Sequence, residues 1–338
     1  MSNRPASIVD IAKASGVSHA TVSYVLNRRE GRTISKETTE RVLKTAKDLG
    51  YRPNAAARSL RYGRTNMVLI WTLQLRQPIY AMAVDAIEQE ALRRGYMVLI
   101  GESDAARAAE LPKASERWPV DGILAYDRPI HVRTYAEAPG PKRPIVSLGP
   151  EVYRGADYVK IDLYSGCKQA MEHLIDIGCR RILMLNSDVP GETGPERLNA
   201  YTDVMRAAGL QLEILNDLPL GRDELREPLA AYLDEKGIPD SMFCWSDGRA
   251  IAASCILYDL GIRVPEQVAL VGLDDIDEAK YRRPSLSTVA SPLEEACKMA
   301  WDFLVNRIEN PDCPHQTAIL SSRLVIRQST TGFKAEKR

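Results

Sequence analysis

Residues 10–27 read DIAKASGVSHATVSYVLN, two short apolar-periodic segments on either side of a glycine. Ser7, three residues before Asp10, forms a capping box that starts a helix at Ile8. Ile8, Ile11 and Ala12 share one face of it, and Gly16 supplies the turn that follows. Ser18 caps the second helix, whose Val22, Val25 and Leu26 point back toward the first. A third helix starts at Ser35, carries Val42, Leu43, Ala46 and Leu49 as its buried stripe, and ends at Gly50. This is a helix-turn-helix with a supporting helix. His19, Ala20, Thr21, Ser23 and Tyr24 are left facing outward. The first turn of a recognition helix is where base-reading side chains sit, which selects His19 and Ala20, with Tyr24 one turn further on. Ala20 suits a thymine methyl, while His19 and Tyr24 suit base-edge hydrogen bonds. Ser18, Thr21, Ser23 and Asn27 suit phosphate oxygens, contacts that position the helix without reading sequence.

Charge separates this head from the rest of the chain. The net charge of the 338 residues is zero, but residues 1–64 hold thirteen Lys and Arg against five Asp and Glu. The remainder carries the opposite excess, 32 against 40. A basic head on an acidic body is the footprint of a phosphate-binding module joined to a part that avoids polyanions. The six cysteines (167, 179, 244, 255, 297, 313) show no metal-ligand spacing and sit mostly in apolar or helical stretches. They read as reduced core residues of a cytoplasmic protein, with no metal site and no cofactor expected. No apolar run reaches membrane-spanning length, and the first residues lack the apolar core of a signal peptide.

The next segment, YRPNAAARSL (51–60), contains a helix of about six residues behind Asn54, too short to be stable alone in water. At this point the chain resembles the lactose-repressor (LacI/GalR) family of bacterial transcription regulators. The resemblance lies in D-I-A-x-x-S-G-V-S-x-x-T-V-S-x-V-L-N (10–27), T-x-x-R-V (38–42) and L-G-Y-R-P-N-x-x-A-R-S-L (49–60). It implies that 54–60 is a hinge helix which forms in the minor groove beside its copy from a second subunit. Asn54, Ala57, Arg58 and Leu60 are the matching hinge positions, Leu60 being the wedge that unstacks the central base step.

From Asn66 onward apolar strand runs alternate with amphipathic helices, the pattern of parallel sheets wound by crossovers. Strands are expected at 67–71, 96–100, 122–126, 144–148, 181–185, 242–246 and 268–273. Helices are expected at 79–94, 165–177, 196–208, 248–260 and 292–309. The resemblance continues in ERLNAY (196–201), EHLIDIGCRRI (172–182), GIRVPEQVALVGLDD (261–275), PSLSTV (284–289) and RLVIRQST (323–330). Ala200 and Cys179 depart from the family pattern. The fold class expected is therefore a small all-α helix-turn-helix domain (1–50), a hinge (51–64) and an α/β two-lobed core of the periplasmic-binding-protein-like type (65–338). The first lobe takes about 65–162 and 291–322, the second about 163–290 and 323–334.

Ligands of such folds bind between the lobes at strand carboxyl ends. The family motifs place Arg197 and Asp274 there, with Asp247 and Asp162 as further candidates. For the two latter a helix cap is an equal reading. Tyr80, Tyr126 and Trp245 are the aromatic candidates for stacking on a sugar or nucleobase. The expectation is a homodimeric repressor that binds a pseudo-palindromic double-stranded operator and is controlled by a small effector, a sugar by family frequency. Control by a protein partner, corepression and a sugar receptor without gene control are the alternatives. No phosphate loop, nucleophile elbow or metal cluster argues for an enzyme.

Overall fold

The computed structural model of the protein describes residues 6–26, 34–51, 63–72, 74–102, 118–140, 142–186, 195–216 and 223–333. It divides into two compact units, residues 1–65 and 66–338.

In the first unit, α1 (Ile8–Ser15) begins at Ser7, which accepts the Asp10 amide while Asp10 accepts the Ser7 amide, the two halves of the capping box. Gly16 closes it with φ +68°, a conformation only glycine adopts at little cost. The second helix, α2 (His19–Leu26), and the third, α3 (Lys36–Asp48), complete a core of Ile11, Val22, Val25, Val42 and Ala46. Two residues of the expected α3 stripe do not join it: Leu43 and Leu49 are exposed. Val42 and Ala46 stand four apart on one face, and Leu43 is turned a further 100° away. Leu49 is already the C-cap, beyond the last regular turn.

The second unit holds two six-stranded sheets. In the first, the order is β11-β5-β4-β3-β1-β2, all parallel. It combines β1 (Met67–Thr72), β2 (Met97–Glu102), β3 (Gly122–Tyr126), β4 (Ile145–Gly149) and β5 (Asp157–Asp162) with the late strand β11 (Thr317–Ser321). The second sheet runs β12-β10-β9-β8-β6-β7. Its strands are β6 (Ile182–Leu185), β7 (Glu213–Leu215), β8 (Ser241–Cys244), β9 (Ala269–Leu273), β10 (Ser287–Ala290) and β12 (Arg323–Val325), the last antiparallel to β10. The chain passes between sheets after β5, after β10 and again between β11 and β12.

Against the first sheet lie α4 (Pro78–Arg93) and α11 (Leu293–Glu309), packed on each other with the Trp301 indole N–H donating to the Ile87 carbonyl at 2.9 Å, and α5 (Pro129–Glu137). The second sheet is covered by α6 (Leu163–Asp176), α7 (Glu196–Ala207), α8 (Arg226–Lys236) and α9 (Asp247–Asp259), with α10 (Asp277–Tyr281) after β9. Strands β5, β7, β10, β11 and β12 and helices α5, α8 and α10 are additions to the elements expected from sequence. Of the cysteines, 167, 179, 244 and 297 are buried, 255 is exposed and 313 is half-buried; all six are free thiols.

Candidate nucleic-acid face and effector chamber

In the first unit, the outward side of α2 starts at Ser18, whose hydroxyl accepts the Thr21 amide at 3.1 Å and lies 2.9 Å from the Thr21 hydroxyl. His19 and Ala20 are exposed in the first turn, with Thr21 and Tyr24 half-buried. Ser23 differs from expectation: it is only 3 % exposed and cannot reach a phosphate as the helix stands. It lies three residues before Leu26, on the side of α2 that meets the other helices. Asn27, Asn54, Ala57, Arg58 and Leu60 lie outside the described residues.

Between the two sheets of the second unit, strand carboxyl ends converge on a chamber of about 40 Å³. Tyr80 enters from the first turn of α4, Tyr126 and Asp127 from the end of β3, Arg197 from α7, Trp245 and Ser246 from the end of β8, and Asp274 from the end of β9. Five of the lining residues, Gln77, Ile79, Trp245, Ser246 and Asp274, also line a larger cleft of about 850 Å³. Asp127 and Asp274 both take positive φ, +54° and +120°, immediately after their strands. Non-glycine residues in such conformations are uncommon, though aspartate tolerates them better than most, and they gather at functional sites.

The chamber is lined by buried ionisable groups. The Tyr80 hydroxyl donates to Asp127 Oδ2 at 3.2 Å, and Tyr80 stands edge-on to Tyr126 with ring centroids 5.8 Å apart. The Arg197 guanidinium lies 4.2 Å from the Trp245 ring centroid, a cation–π contact. Burial pushes the Asp127 carboxyl up to about 7, against the opposing pull of Arg197 and the Tyr80 hydroxyl. Burial likewise holds Asp274 well above the usual carboxylate range, with Asp247 adding to the effect. The Tyr80 and Tyr126 phenols are raised, chiefly by burial and then by Asp127. Arg197 Nε and Asp127 Oδ1 are buried without a hydrogen-bond partner among the described residues. Such buried atoms cost stability unless a ligand supplies the missing partner.

Residues 7–54 match the bacterial regulatory proteins of the lacI family, and residues 171–330 match a periplasmic binding protein-like domain. The HTH-type transcriptional repressor PurR of Proteus mirabilis (strain HI4320) is 31 % identical over 96 % of both chains. The chain belongs to the lacI family. The ribose operon repressor of Escherichia coli (strain K12) is 29 % identical over 96 % of this chain and 99 % of that one. In structure, the lac repressor dimer bound to operator and an anti-inducer superposes with a TM-score of 0.85 at 21 % identity, over 97 % of this chain and 99 % of that chain. This lacI-family protein is thus a DNA-binding transcriptional repressor: a helix-turn-helix head joined to an effector-binding core that controls operator affinity. No helix among the described residues is long and apolar enough to cross a membrane.

Two carboxylates expected to reach an effector in this lacI-family core are used elsewhere. Asp247 is fully buried; its Oδ1 accepts the Thr288 hydroxyl at 2.6 Å and its Oδ2 the Ile276 amide at 3.0 Å. It pins the segment after β9, and a Cβ at Gly272 would collide with it. The cap of α9 falls instead to Ser246, which accepts the Arg249 amide at 3.3 Å. Asp162 caps α6, accepting the Ser165 amide at 3.3 Å and its hydroxyl. Its carbonyl receives the Ser322 amide and hydroxyl at 2.9 and 2.7 Å, which ties two of the crossings together. Conversely, Asp127 was missed in the sequence. Its signal is positional: it follows the run GILAY as Asp274 follows VALVGL.

Proposed function

We propose that the repressor binds a pseudo-palindromic operator as a homodimer in the cytoplasm, with a small polyhydroxylated effector, a sugar, in the chamber. The observation that carries the effector assignment is the pairing of orphaned buried atoms, Arg197 Nε and Asp127 Oδ1, beside aromatic edges in an inter-sheet chamber. A donor and an acceptor held apart in a buried site suit a hydroxyl, which accepts from one and donates to the other. The name of the ribose operon repressor, a relative over nearly the whole chain, points the same way.

A chamber of about 40 Å³ holds roughly three water molecules, so no sugar enters without separating its walls. Those walls belong to different sheets: Tyr80, Tyr126 and Asp127 on one side, Arg197, Trp245 and Asp274 on the other. Ligand entry therefore couples to the angle between lobes, the coupling that moves paired hinges and sets operator affinity. A bias of a few kcal/mol at that step changes occupancy by orders of magnitude.

On the DNA side, Ser18, His19, Ala20, Thr21 and Tyr24 form the recognition face, and Asn54, Ala57, Arg58 and Leu60 the hinge. The test is selection of the purified protein on randomised duplexes at near-physiological salt, followed by titration of the enriched duplex complex with neutral pentoses and hexoses. An enriched palindrome whose complex responds to a sugar supports the reading. Failure to enrich any sequence, with or without the sugars, refutes it.

A further inference from the structure

Beside the chamber an ion pair joins the two lobes. Lys160 lies near the carboxyl end of β5, in register with Gly149 at the end of β4. Val159 and Ile161 enter the core, so strand alternation sends Lys160 to the opposite face of the sheet. There its ammonium meets Glu196 Oε1 at 2.7 Å, with the two side chains 17 % and 18 % exposed. Glu196 belongs to the second lobe: it opens α7 and is followed by Arg197, which lines the chamber. Its Oε2 accepts the Leu163 amide at 2.9 Å, one of the first-turn amides of α6 that the Asp162 cap leaves over. That bond fixes Glu196 to its own lobe and to the crossing after β5. Lys160, a point charge on a flexible four-carbon stem, is the member able to turn. A second carboxylate acts on it: Glu151, half-buried, two residues past the end of β4 and so on the same lobe as Lys160. Burial raises the Glu151 carboxyl, and Lys160 is the largest influence lowering it.

We propose that Lys160 is a two-position switch, bonded to Glu196 across the lobes while the chamber is narrow and exchanged to Glu151 on its own lobe when a ligand parts the walls. This rests on the reading of the chamber as the effector site and adds the link by which its occupancy reaches the first lobe. A hydrogen bond of 2.7 Å is lost once its partners separate by about 1 Å. Glu196 cannot follow, because the Leu163 amide holds it, whereas Glu151 moves with Lys160. An ammonium left alone in so enclosed a place is costly, and the second carboxylate removes much of that cost. Both positions are therefore satisfied, and a ligand that favours one of them shifts the balance. Arg197 lies one residue from Glu196, so a ligand that draws the guanidinium also moves the first turn of α7. The other cation acting on Glu151, Arg154, is exposed and screened.

The test uses the full chain with spin labels at Glu102→Cys and Glu227→Cys, exposed positions on either side of the large cleft, and with Cys255 and Cys313 replaced by serine. Distance distributions without ligand are compared for this protein, Lys160→Met, Glu196→Gln, the two combined, Lys160→Arg and Glu151→Gln. Glu196→Gln removes the charge but keeps an acceptor for the Leu163 amide. Each of the first two variants enlarges a longer-distance population about fivefold or more. The combined variant adds little beyond either, since both remove one interaction. Lys160→Arg retains most of the short-distance population, and Glu151→Gln, which removes the receiving position, shrinks the longer one. On the duplex enriched by selection, Lys160→Met and Glu196→Gln shift operator affinity without sugar, and Lys160→Arg restores it, a pattern that a local loss of packing does not give. Unchanged distances in Lys160→Met and Glu196→Gln overturn the switch, as do additive effects in the combined variant. Lengthened distances with native operator affinity overturn its link to DNA. These readouts need no ligand, so failure of every pentose and hexose to bind sinks the sugar reading alone.

Discussion

Asp127→Asn isolates the cost of keeping a carboxyl buried in the chamber. In the folded protein this group holds its proton up to about pH 7, against an ordinary value of 3.8. Over that window the folded state binds a proton which the unfolded chain has lost, so stability falls as pH rises from about 4 to about 7 and then levels off. The gap is roughly three pH units at 1.36 kcal/mol each. Asp127 therefore removes about 1 kcal/mol at pH 4.5 and about 4 kcal/mol at pH 8, relative to the same site without a charge. Asparagine keeps the shape and still accepts from the Tyr80 hydroxyl. The variant should be more stable than the native protein at pH 8, by about 8 °C in Tm at roughly 2 °C per kcal/mol for a unit of this size. Most of that difference should vanish at pH 4.5. Melting curves of both proteins across pH 4.5–8 without ligand provide the assay, and any constant offset from the amide cancels in the difference. Asp247, held at about 6, and Asp274 carry the same sign of pH dependence but remain in both proteins. Parallel curves within about 0.5 kcal/mol across the range would refute the suppressed-charge account of the chamber.

Asp247→Ala strips the acceptor from the buried Ile276 amide and Thr288 hydroxyl together; a loss of roughly 3 kcal/mol is expected, read as a lower urea midpoint with the slope retained. Trp245→Phe should abolish the effector-induced change in intrinsic fluorescence, because Trp245 is the tryptophan at the chamber; persistence of the signal would place the ligand elsewhere. His19→Ala should relax base preference at one position of each half-site in a duplex selection while keeping the salt slope of non-specific binding, since base contacts specify and phosphate contacts supply the counterion term. Leu60→Ala should weaken operator binding and reduce the bend seen by gel mobility; an equal bend excludes the leucine wedge.

How far the residues alone carried the reading depends on whether a signal was local. The capping box at Ser7, the turn at Gly16 and the alternation of apolar runs with helices are encoded within a few positions, and the same elements stand in the structure. Leu43 and Ser23 went astray because their neighbours decided burial: a helix shows from its own sequence which arc is apolar, but the width of the arc that meets other helices is a tertiary fact. The short strands β7 and β12 are three residues each, too brief for any period to register.

The carboxylates show the same division more sharply. Asp127, Asp162, Asp247 and Asp274 all follow apolar or alternating strand runs, and in the sequence they look alike. Their roles part on what the fold brings opposite each. Asp162 meets the Ser165 amide and becomes a cap; Asp247 meets Ile276 and Thr288, brought from 29 and 41 residues away, and becomes a clamp. Asp127 meets Arg197 and the Tyr80 hydroxyl, Asp274 meets Arg197 and the Asp247 and Asp127 carboxylates, and burial raises both above the usual carboxylate range. A carboxylate whose lone pairs are spent on the protein stabilises it; one kept underpartnered lowers stability and stores binding energy for whatever enters. That criterion, applied to cations, also separates Arg197, with an orphaned Nε against Trp245, from Arg327, whose guanidinium is consumed by Asp275 and the Leu286 carbonyl. The groups that answer a ligand are those the fold has buried and left short of partners, and such a shortage can be read only once the walls of the chamber are in place.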